Sequence, residues 1–356
     1  MLRSLLFVFT VLVMLEGCSG GGGGSDDDRS DAINTASREH IDNTLIPTVQ
    51  SFAAQIDVMS NDIDTNFCPG ADTSSLADLQ QQWRDLSETW FKLASYNFGP
   101  LDDDLIFPTL NFIDSMRLNG TDYKPNVRAA ISGQIGGVQT LDMAFYDALP
   151  FTDVGLLALE LLIFESSDTN STSAGDILGE FLMEPRKCLV LQGIIEQLDK
   201  HSNNISDGWQ IDFDGNGPYR NQFVNRQLPD DEEPMAVLLV AVQFYMDYLH
   251  RRNVATRAAQ VSDHAYESIG AAIDQVEEIM QGTAGTTVSF YSLMQSAGFG
   301  SDVDLINSNI AAARAAIVIE DSISLENAIR ALDGHFKREI PNGLNVDPGI
   351  NFTDGD

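Results

Sequence analysis

Apolar residues recur every three or four positions along most of the chain, and this spacing is typical of amphipathic helices. Similar apolar stripes run through residues 266–280, 303–317 and 325–340. No sustained two-residue alternation, which would indicate strands, competes with them. The pattern therefore predicts an all-α protein. The clearest stripe consists of Leu76, Leu79, Trp83, Leu86, Trp90 and Leu93.

Two stretches are almost wholly apolar. Residues 154–164 are interrupted only by Glu160, and residues 235–248 only by Gln243 and Asp247. A helix that is apolar on all sides is buried on all sides. We therefore expect one central helix in each half of the chain.

This arrangement predicts two up-down helical bundles, at residues 30–203 and 232–342. Residues 204–231 are rich in Asn, Asp, Gly and Pro and predict a linker loop between the bundles. Residues 343–356 are expected to form a C-terminal tail.

The N-terminus has the features of an export signal. Arg3 precedes an apolar run at residues 5–15, which is shorter than the roughly 20 residues of a membrane-spanning helix. Leu15, Gly17 and Cys18 resemble the bacterial lipobox, in which the cysteine is acylated. We therefore predict a lipoprotein signal peptide at residues 1–17; the alternative is ordinary secretion with an unused cysteine.

Residues 18–29 contain a Gly/Ser run followed by aspartates, and they predict a flexible, solvated tether. Ser19, directly after the acylated position, resembles the sorting pattern for the outer membrane of Gram-negative bacteria. The expected location is therefore the periplasmic face of that membrane, with the lipid on Cys18 as the membrane contact.

Charge argues against one class of partner. The chain has 53 acidic and 20 basic residues, for a net charge of −33. Nucleic acids are bound mainly through Lys and Arg, so a nucleic-acid partner is not expected. The hydrophobic content of 43% is nevertheless sufficient for packed cores.

Cys68 and Cys188 remain after the predicted lipidation site. An oxidising periplasm permits a disulfide, and cysteines near helix ends can be brought together by bundle packing. The alternative is a pair of unpaired, buried thiols.

Several segments, in the same order, resemble the imelysin-like proteins, which are helical proteins of the bacterial periplasm and outer membrane and are often linked to iron uptake. The resemblance covers nearly all of the predicted mature chain and implies a fold of two helical bundles. The segments are Trp90, Phe98-Gly99-Pro100, Ile106-Phe107-Pro108, residues 154–164, Arg186-Lys187-Cys188, Asp207-Gly208-Trp209 and residues 349–356.

The resemblance also implies a Gly-x-His-x-x-Glu signature, which is proposed as a metal site in that family. The glycine corresponds to Gly155 and the glutamate to Glu160, but Leu157 occupies the histidine position. His and Glu three residues apart share a helix face and can bind one metal together, whereas leucine has no lone pair. The peptidase activity implied by some family names therefore transfers poorly to this chain.

Glu160 is the most unusual residue by context, because a lone carboxylate among leucines must raise its pKa or find a partner. It is a candidate cation ligand or a hydrogen-bond anchor for a cleft. The alternative is a structural ion pair with an arginine from another helix, such as Arg84, Arg117 or Arg128.

His264 and Glu267 form the one His-x-x-Glu in the chain, and their spacing places both on one helix face. They make a possible metal pair or, alternatively, a surface pair near Asp263.

Residues 212–217 resemble the start of an EF-hand calcium loop, with oxygen ligands at Asp212, Asp214 and Asn216. Phe223 stands where the bidentate glutamate is needed. Backbone oxygens or the acids at 230–231 are possible substitutes, and the alternative is an Asp/Asn/Gly turn between the bundles.

Three functions remain open. The first is a lipid-anchored binding protein that assists uptake of iron or another ligand without catalysis, together with a metal- or iron-transport partner protein. The second is a periplasmic metallopeptidase of the imelysin type, although H-E-x-x-H, G-x-S-x-G and P-loop motifs are missing. The third is a non-catalytic envelope scaffold. The sequence identifies no cofactor; iron and calcium are the candidates.

Overall fold

The computed structural model describes residues 26–114 and 122–349. Within these ranges every regular element is a helix, so the all-α prediction is confirmed. The α-helices are α1 (Asp26–His40), α2 (Ile46–Asp62), α3 (Thr73–Leu93), α4 (Thr109–Ile113), α5 (Lys124–Gly136), α6 (Met143–Asp147), α7 (Gly155–Phe164), α8 (Ala174–Met183), α9 (Pro185–Gln210), α10 (Tyr219–Val224), α11 (Pro234–Arg251), α12 (Val254–Arg257), α13 (Ala265–Gln281), α14 (Phe290–Ser296), α15 (Gly300–Val318), α16 (Ser322–Lys337) and α17 (Glu339–Leu344).

Short turns of other helical types join several of these helices. π-Helical turns at Ile41–Leu45 and Ile63–Phe67 follow α1 and α2 directly, so the chain is helical without a break from Asp26 to Phe67. Pro47 is the second residue of α2, directly after the first π-helical turn, so it lies inside this continuous helical run, where a proline removes one backbone hydrogen bond. 3-10 turns occupy Ala94–Tyr96, Gly99–Leu101, Phe151–Asp153 and Pro229–Asp231.

The long helices pack in two groups. In the N-terminal half, α2, α3, α7 and α9 surround a common core, and in the C-terminal half α11, α16, α15 and α13 pack side by side in that order. Helix α3 packs against α13 and joins the two groups, and one continuous cluster of buried apolar side chains runs through both. We interpret the two groups as an N-terminal and a C-terminal bundle.

Several helix ends differ from the boundaries expected from sequence. Helix α9 continues to Gln210, and α10 also lies within the expected linker loop at 204–231. The physical reason is burial: Trp209 packs on Tyr219 with ring centroids 5.1 Å apart, so this polar-looking segment carries core side chains. Helix α1 begins at Asp26, inside the expected tether at 18–29, and α17 ends at Leu344, inside the expected tail.

Cys68 and Cys188 form a disulfide with a Cα–Cα distance of 5.7 Å, which confirms the expected pairing. Cys68 directly follows the π-helical turn after α2, and Cys188 lies in the first turn of α9. Because α2 packs along α9, the bond fastens together the ends of two neighbouring helices.

Removing this bond is expected to lower stability substantially. The cysteines are 120 residues apart, and for a loop of this length the chain-entropy treatment gives about 4–5 kcal/mol at most. We expect the variant Cys68→Ala/Cys188→Ala to melt about 10 °C lower than the wild type when followed by circular dichroism. A reductant should lower the wild-type melting temperature in the same way and leave the variant unchanged; equal melting temperatures would contradict the prediction.

Candidate functional site

The residues of the family-like signature lie on α7, a short helix that is buried on nearly every side. Gly155 begins the helix with a φ of +82°, a conformation that favours glycine. A Cβ atom at this position would lie 2.6 Å from the backbone oxygens of both Phe112 and Ile113. The glycine therefore allows the end of α4 to pack directly against the start of α7.

Glu160 lies in the middle of α7 and is only 2% exposed. Its Oε1 atom accepts hydrogen bonds from the backbone N–H of Val261 at 3.0 Å, and from the backbone N–H and hydroxyl of Ser262, both at 2.9 Å. Val261 and Ser262 belong to the loop at residues 258–264, between α12 and α13. The carboxylate thus connects the central helix of the N-terminal half to a loop of the C-terminal half.

Among the described residues, the hydrogen bonds to Glu160 come from Val261 and Ser262 and not from an arginine. Arg128 donates instead to both carboxylate oxygens of Glu165, at 2.6 and 2.8 Å. The guanidinium of Arg84 lies over the ring of Phe164, 5.0 Å from its centroid. Arg117, the third candidate, lies outside the described residues. Sequence reasoning missed Ser262 because backbone donors leave no signature in the sequence.

Burial raises the pKa of Glu160, because a carboxylate loses solvation inside an apolar core. The three donated hydrogen bonds and the positive charge of Lys124 act in the opposite direction and only partly offset this effect. Glu160 therefore binds its proton more tightly in the folded protein than in the unfolded chain.

A cavity of about 60 Å³ adjoins Glu160, where α3 and α7 meet loop 258–264. It has room for a few water-sized groups. Trp83 and Trp90 form one wall, and Leu157, from the histidine position of the signature, forms part of another. The indole N–H of Trp83 donates to the Leu156 carbonyl at 3.0 Å. The tryptophans therefore pack in the core, as expected, and also border the cavity.

Charged groups of both signs line the same cavity. Lys124 Nζ contacts Asp122 Oδ1 at 3.1 Å and donates to the side-chain oxygen of Gln260 at 2.6 Å. Asp114 Oδ2 accepts a hydrogen bond from the hydroxyl of Tyr248 at 3.1 Å, and Arg257 lies on the C-terminal side. Polar contacts between the two halves of the chain thus border the cavity.

The side chains at the signature position do not fit a resident metal ion. Leu157 has no lone pair, and Glu160 Oε1 already accepts three hydrogen bonds. Within the described ranges, Glu160 belongs to no group of three His, Cys, Asp or Glu side chains close enough to share an ion.

The other sequence candidates lie elsewhere. The two carboxylate oxygens of Asp212 accept the backbone N–H groups of Gly215 at 3.0 Å and Gly217 at 2.8 Å, so this side chain organises its own turn. The backbone of Asp214 is left-handed, with a φ of +55°. Asn216 donates through its side chain to the Asp214 carbonyl at 3.2 Å. The calcium hypothesis for this loop stays a prediction.

Phe223, which stands at the position of the missing calcium ligand, is buried and stacks on Phe98, with centroids 5.6 Å apart. His264 is buried rather than on the surface, with Nε2 3.0 Å from Glu88 Oε1 and Nδ1 3.6 Å from Glu267 Oε2. Cys18 lies outside the described residues.

Fold and site together define an all-helical, disulfide-linked protein with a small cavity where its two halves meet. The family model described as Imelysin, whose label also contains the word peptidase, matches residues 46–342. The chain belongs to the imelysin family.

Solved structures show the same fold. One is an imelysin-like protein from Psychrobacter arcticum 273-4, with a TM-score of 0.70 and 13% identity over 90% of this chain and 98% of that chain. Another, provisionally named an iron-regulated protein A precursor, comes from Parabacteroides distasonis ATCC 8503 and has a TM-score of 0.58 and 14% identity over 91% and 95% of the two chains. No curated protein matches the sequence. Among the described residues, no helix is both long and apolar enough to cross a membrane.

The raised pKa of Glu160 gives a prediction with a definite sign. Its contribution to stability is fully present below the unfolded pKa of about 4.5 and is lost as pH rises through the higher folded pKa. Glu160→Gln keeps an oxygen acceptor and cannot ionise. In urea unfolding, its stability relative to wild type should therefore increase as pH rises above about 4.5.

A matched control is Glu184→Gln, at an exposed position just before α9. Its stability relative to wild type should change much less over the same range. A Glu160→Gln advantage that shrinks as pH rises would contradict the prediction.

Proposed function

We propose that this protein is a lipid-anchored, non-catalytic binding protein of the Gram-negative outer membrane, facing the periplasm, that assists uptake of iron or another ligand. The observation that carries the proposal is that Glu160 accepts hydrogen bonds from Val261 and Ser262. In place of a His–Glu metal pair, the signature region contains a carboxylate that holds the loop at 258–264 against a cavity. That arrangement supports a preformed binding site more than a hydrolytic one.

The cavity lining contains two cations, Lys124 and Arg257, beside the carboxyl groups of Asp114, Asp122 and Glu160. A ligand with an anionic group would contact the two cations, which are notable in a chain with only 20 basic residues against 53 acidic ones. Trp83 and Trp90 add flat apolar surface beside these cations. The cavity has room for only a few water-sized groups, so a larger ligand can place about one carboxylate in it and must keep the remainder outside. A ferric chelate with carboxylate groups combines such a group with the iron suggested by the family and by the name of one structural relative. Ferric citrate is therefore a suitable probe.

Binding of this probe should depend on Lys124. We expect calorimetry to detect ferric citrate binding to the wild type, and Lys124→Met to weaken it about tenfold or more, because the variant loses a charge-assisted contact. Lys200→Met is the matched control, since Lys200 pairs with Asp147 at 2.7 Å outside the cavity lining. Sodium citrate alone separates recognition of the chelator from recognition of the iron complex.

Absence of any ferric citrate binding by the wild type, or equal affinity in Lys124→Met, would contradict this choice of ligand. Peptide cleavage by the purified protein that stops on removal of metal would instead favour the peptidase alternative. Growth of a deletion strain under iron limitation, with and without the wild-type gene, tests the role in uptake.

The anchor is tested separately. The lipobox-like residues Leu15, Gly17 and Cys18 lead us to expect a diacylglyceryl group on the sulfur of Cys18 and membrane association of the mature protein. Cys18→Ser should leave the protein unacylated and soluble in the periplasmic fraction. Mass spectrometry that finds unmodified Cys18 in the mature wild type would contradict the anchor.

A further inference from the structure

A second cluster of ionisable side chains lies in the C-terminal half, between α11 and α16. Asp247 and His250 are three residues apart on α11 and so share one face of that helix. Asp333 faces them from α16. His250 Nε2 lies 3.7 Å from Asp247 Oδ1 and 3.5 Å from Asp333 Oδ2.

Two side chains at the centre of this cluster are buried and have polar atoms without hydrogen bonds. His250 is 6% exposed and Asp333 is 5% exposed. Within the described part of the chain, neither ring nitrogen of His250 has a hydrogen-bond partner, and neither does Asp333 Oδ1. Buried polar atoms are normally paired, so three orphaned atoms in two neighbouring side chains call for a partner. His250 Nε2 is directed between the two carboxylates.

We propose that Asp247, His250 and Asp333 form a binding site for a divalent transition-metal ion of the Zn²⁺ type. The two N···O distances exceed those of a hydrogen bond, about 2.7–3.2 Å. They instead resemble the separation of about 3.4 Å between neighbouring ligands of a tetrahedral ion with bonds of about 2.1 Å. One ligand atom from each of the three side chains can be chosen so that all lie within 4.8 Å of one another.

The donor chemistry suits such an ion. One imidazole and two carboxylates form a nitrogen–oxygen ligand set typical of zinc and related metals, whereas calcium and magnesium prefer oxygen alone. Three protein ligands also leave a fourth position for water. Helical bundles commonly hold metals with an acidic residue and a histidine three positions apart on one helix and a further ligand from a facing helix. Asp247 and His250 on α11 and Asp333 on α16 follow this arrangement.

Two cations balance the carboxylates in the structure described. Arg251 Nε lies 2.8 Å from Asp247 Oδ1, and Lys337 Nζ lies 3.3 Å from Asp333 Oδ2. Their side chains are 44% and 21% exposed, so both can turn toward solvent when an ion enters. Asp333 Oδ1, on the other side of its carboxylate, is the orphaned oxygen.

A second small cavity adjoins the histidine. This cavity, of about 50 Å³, borders His250 and has Thr256, Ser322 and Glu326 in its lining. A ligating histidine usually donates its second ring N–H to a polar partner, and a water molecule in this cavity can take that role. The cluster belongs to the other half of the chain from Glu160 and does not depend on the proposed function.

The test is zinc binding by the full-length protein after removal of bound metals, measured in competition with a chromophoric chelator. We expect the wild type to bind one equivalent of Zn²⁺ tightly, in addition to weak Zn²⁺ binding by the acidic surface. His250→Gln and Asp333→Asn should each weaken this equivalent about a hundredfold or more, because a ligand is lost. His201→Gln, which changes a half-buried histidine that stacks on Phe112 in the N-terminal half, is the control and should keep the equivalent.

Folding is checked by circular dichroism and by the melting temperature. Zinc should raise the melting temperature of the wild type and of His201→Gln but not that of His250→Gln. If a variant in the core fails to fold, Asp247→Asn, at the partly exposed edge of the cluster, replaces it. The proposal is wrong if the wild type has no tight equivalent, or if the equivalent survives in the folded ligand variants.

Discussion

The candidate cleft depends on one buried carboxylate. Helix α7 is too apolar to solvate Glu160, so the side chain must obtain its hydrogen bonds from outside the helix. It obtains them from the backbone of Val261 and the backbone and hydroxyl of Ser262. Two further residues of this loop, Ala259 and Asp263, have left-handed backbones, with φ of +46° and +54°. Glu160 thus holds a strained loop in place, and that loop forms a wall of the cavity.

The helical fold was predictable because the apolar period is a local property that each helix repeats along its own length. The stripe from Leu76 to Leu93 becomes α3, and the two apolar stretches become α7 and α11. The disulfide followed from helix-end positions and the expected compartment. The linker was expected from residue 204, whereas α9 continues to Gln210. Polar residues such as Asp207 made this segment resemble a loop, although Ile205 and Trp209 are buried.

The site was harder to predict, because its contacts join residues far apart in sequence. Glu160 stood out among leucines, but its partners come about a hundred residues later and are mainly backbone N–H groups. Asp247 was likewise visible as an interruption of an apolar helix, yet nothing local indicates that Asp333 faces it. Sequence pattern selected His264 and Glu267 instead, whereas in the structure it is His250 whose ring nitrogens lack hydrogen-bond partners among the described residues.

The central claim is that Glu160 fastens loop 258–264 to the N-terminal half, and amide hydrogen exchange tests it most directly. Exchange followed by mass spectrometry should show peptides containing Val261 and Ser262 exchanging about tenfold faster or more in Glu160→Ala than in the wild type. Glu160→Gln, which keeps an acceptor oxygen, should retain most of the protection, and peptides from α15 should be unchanged in both variants. Equal protection of the loop in the wild type and in folded Glu160→Ala would contradict the account.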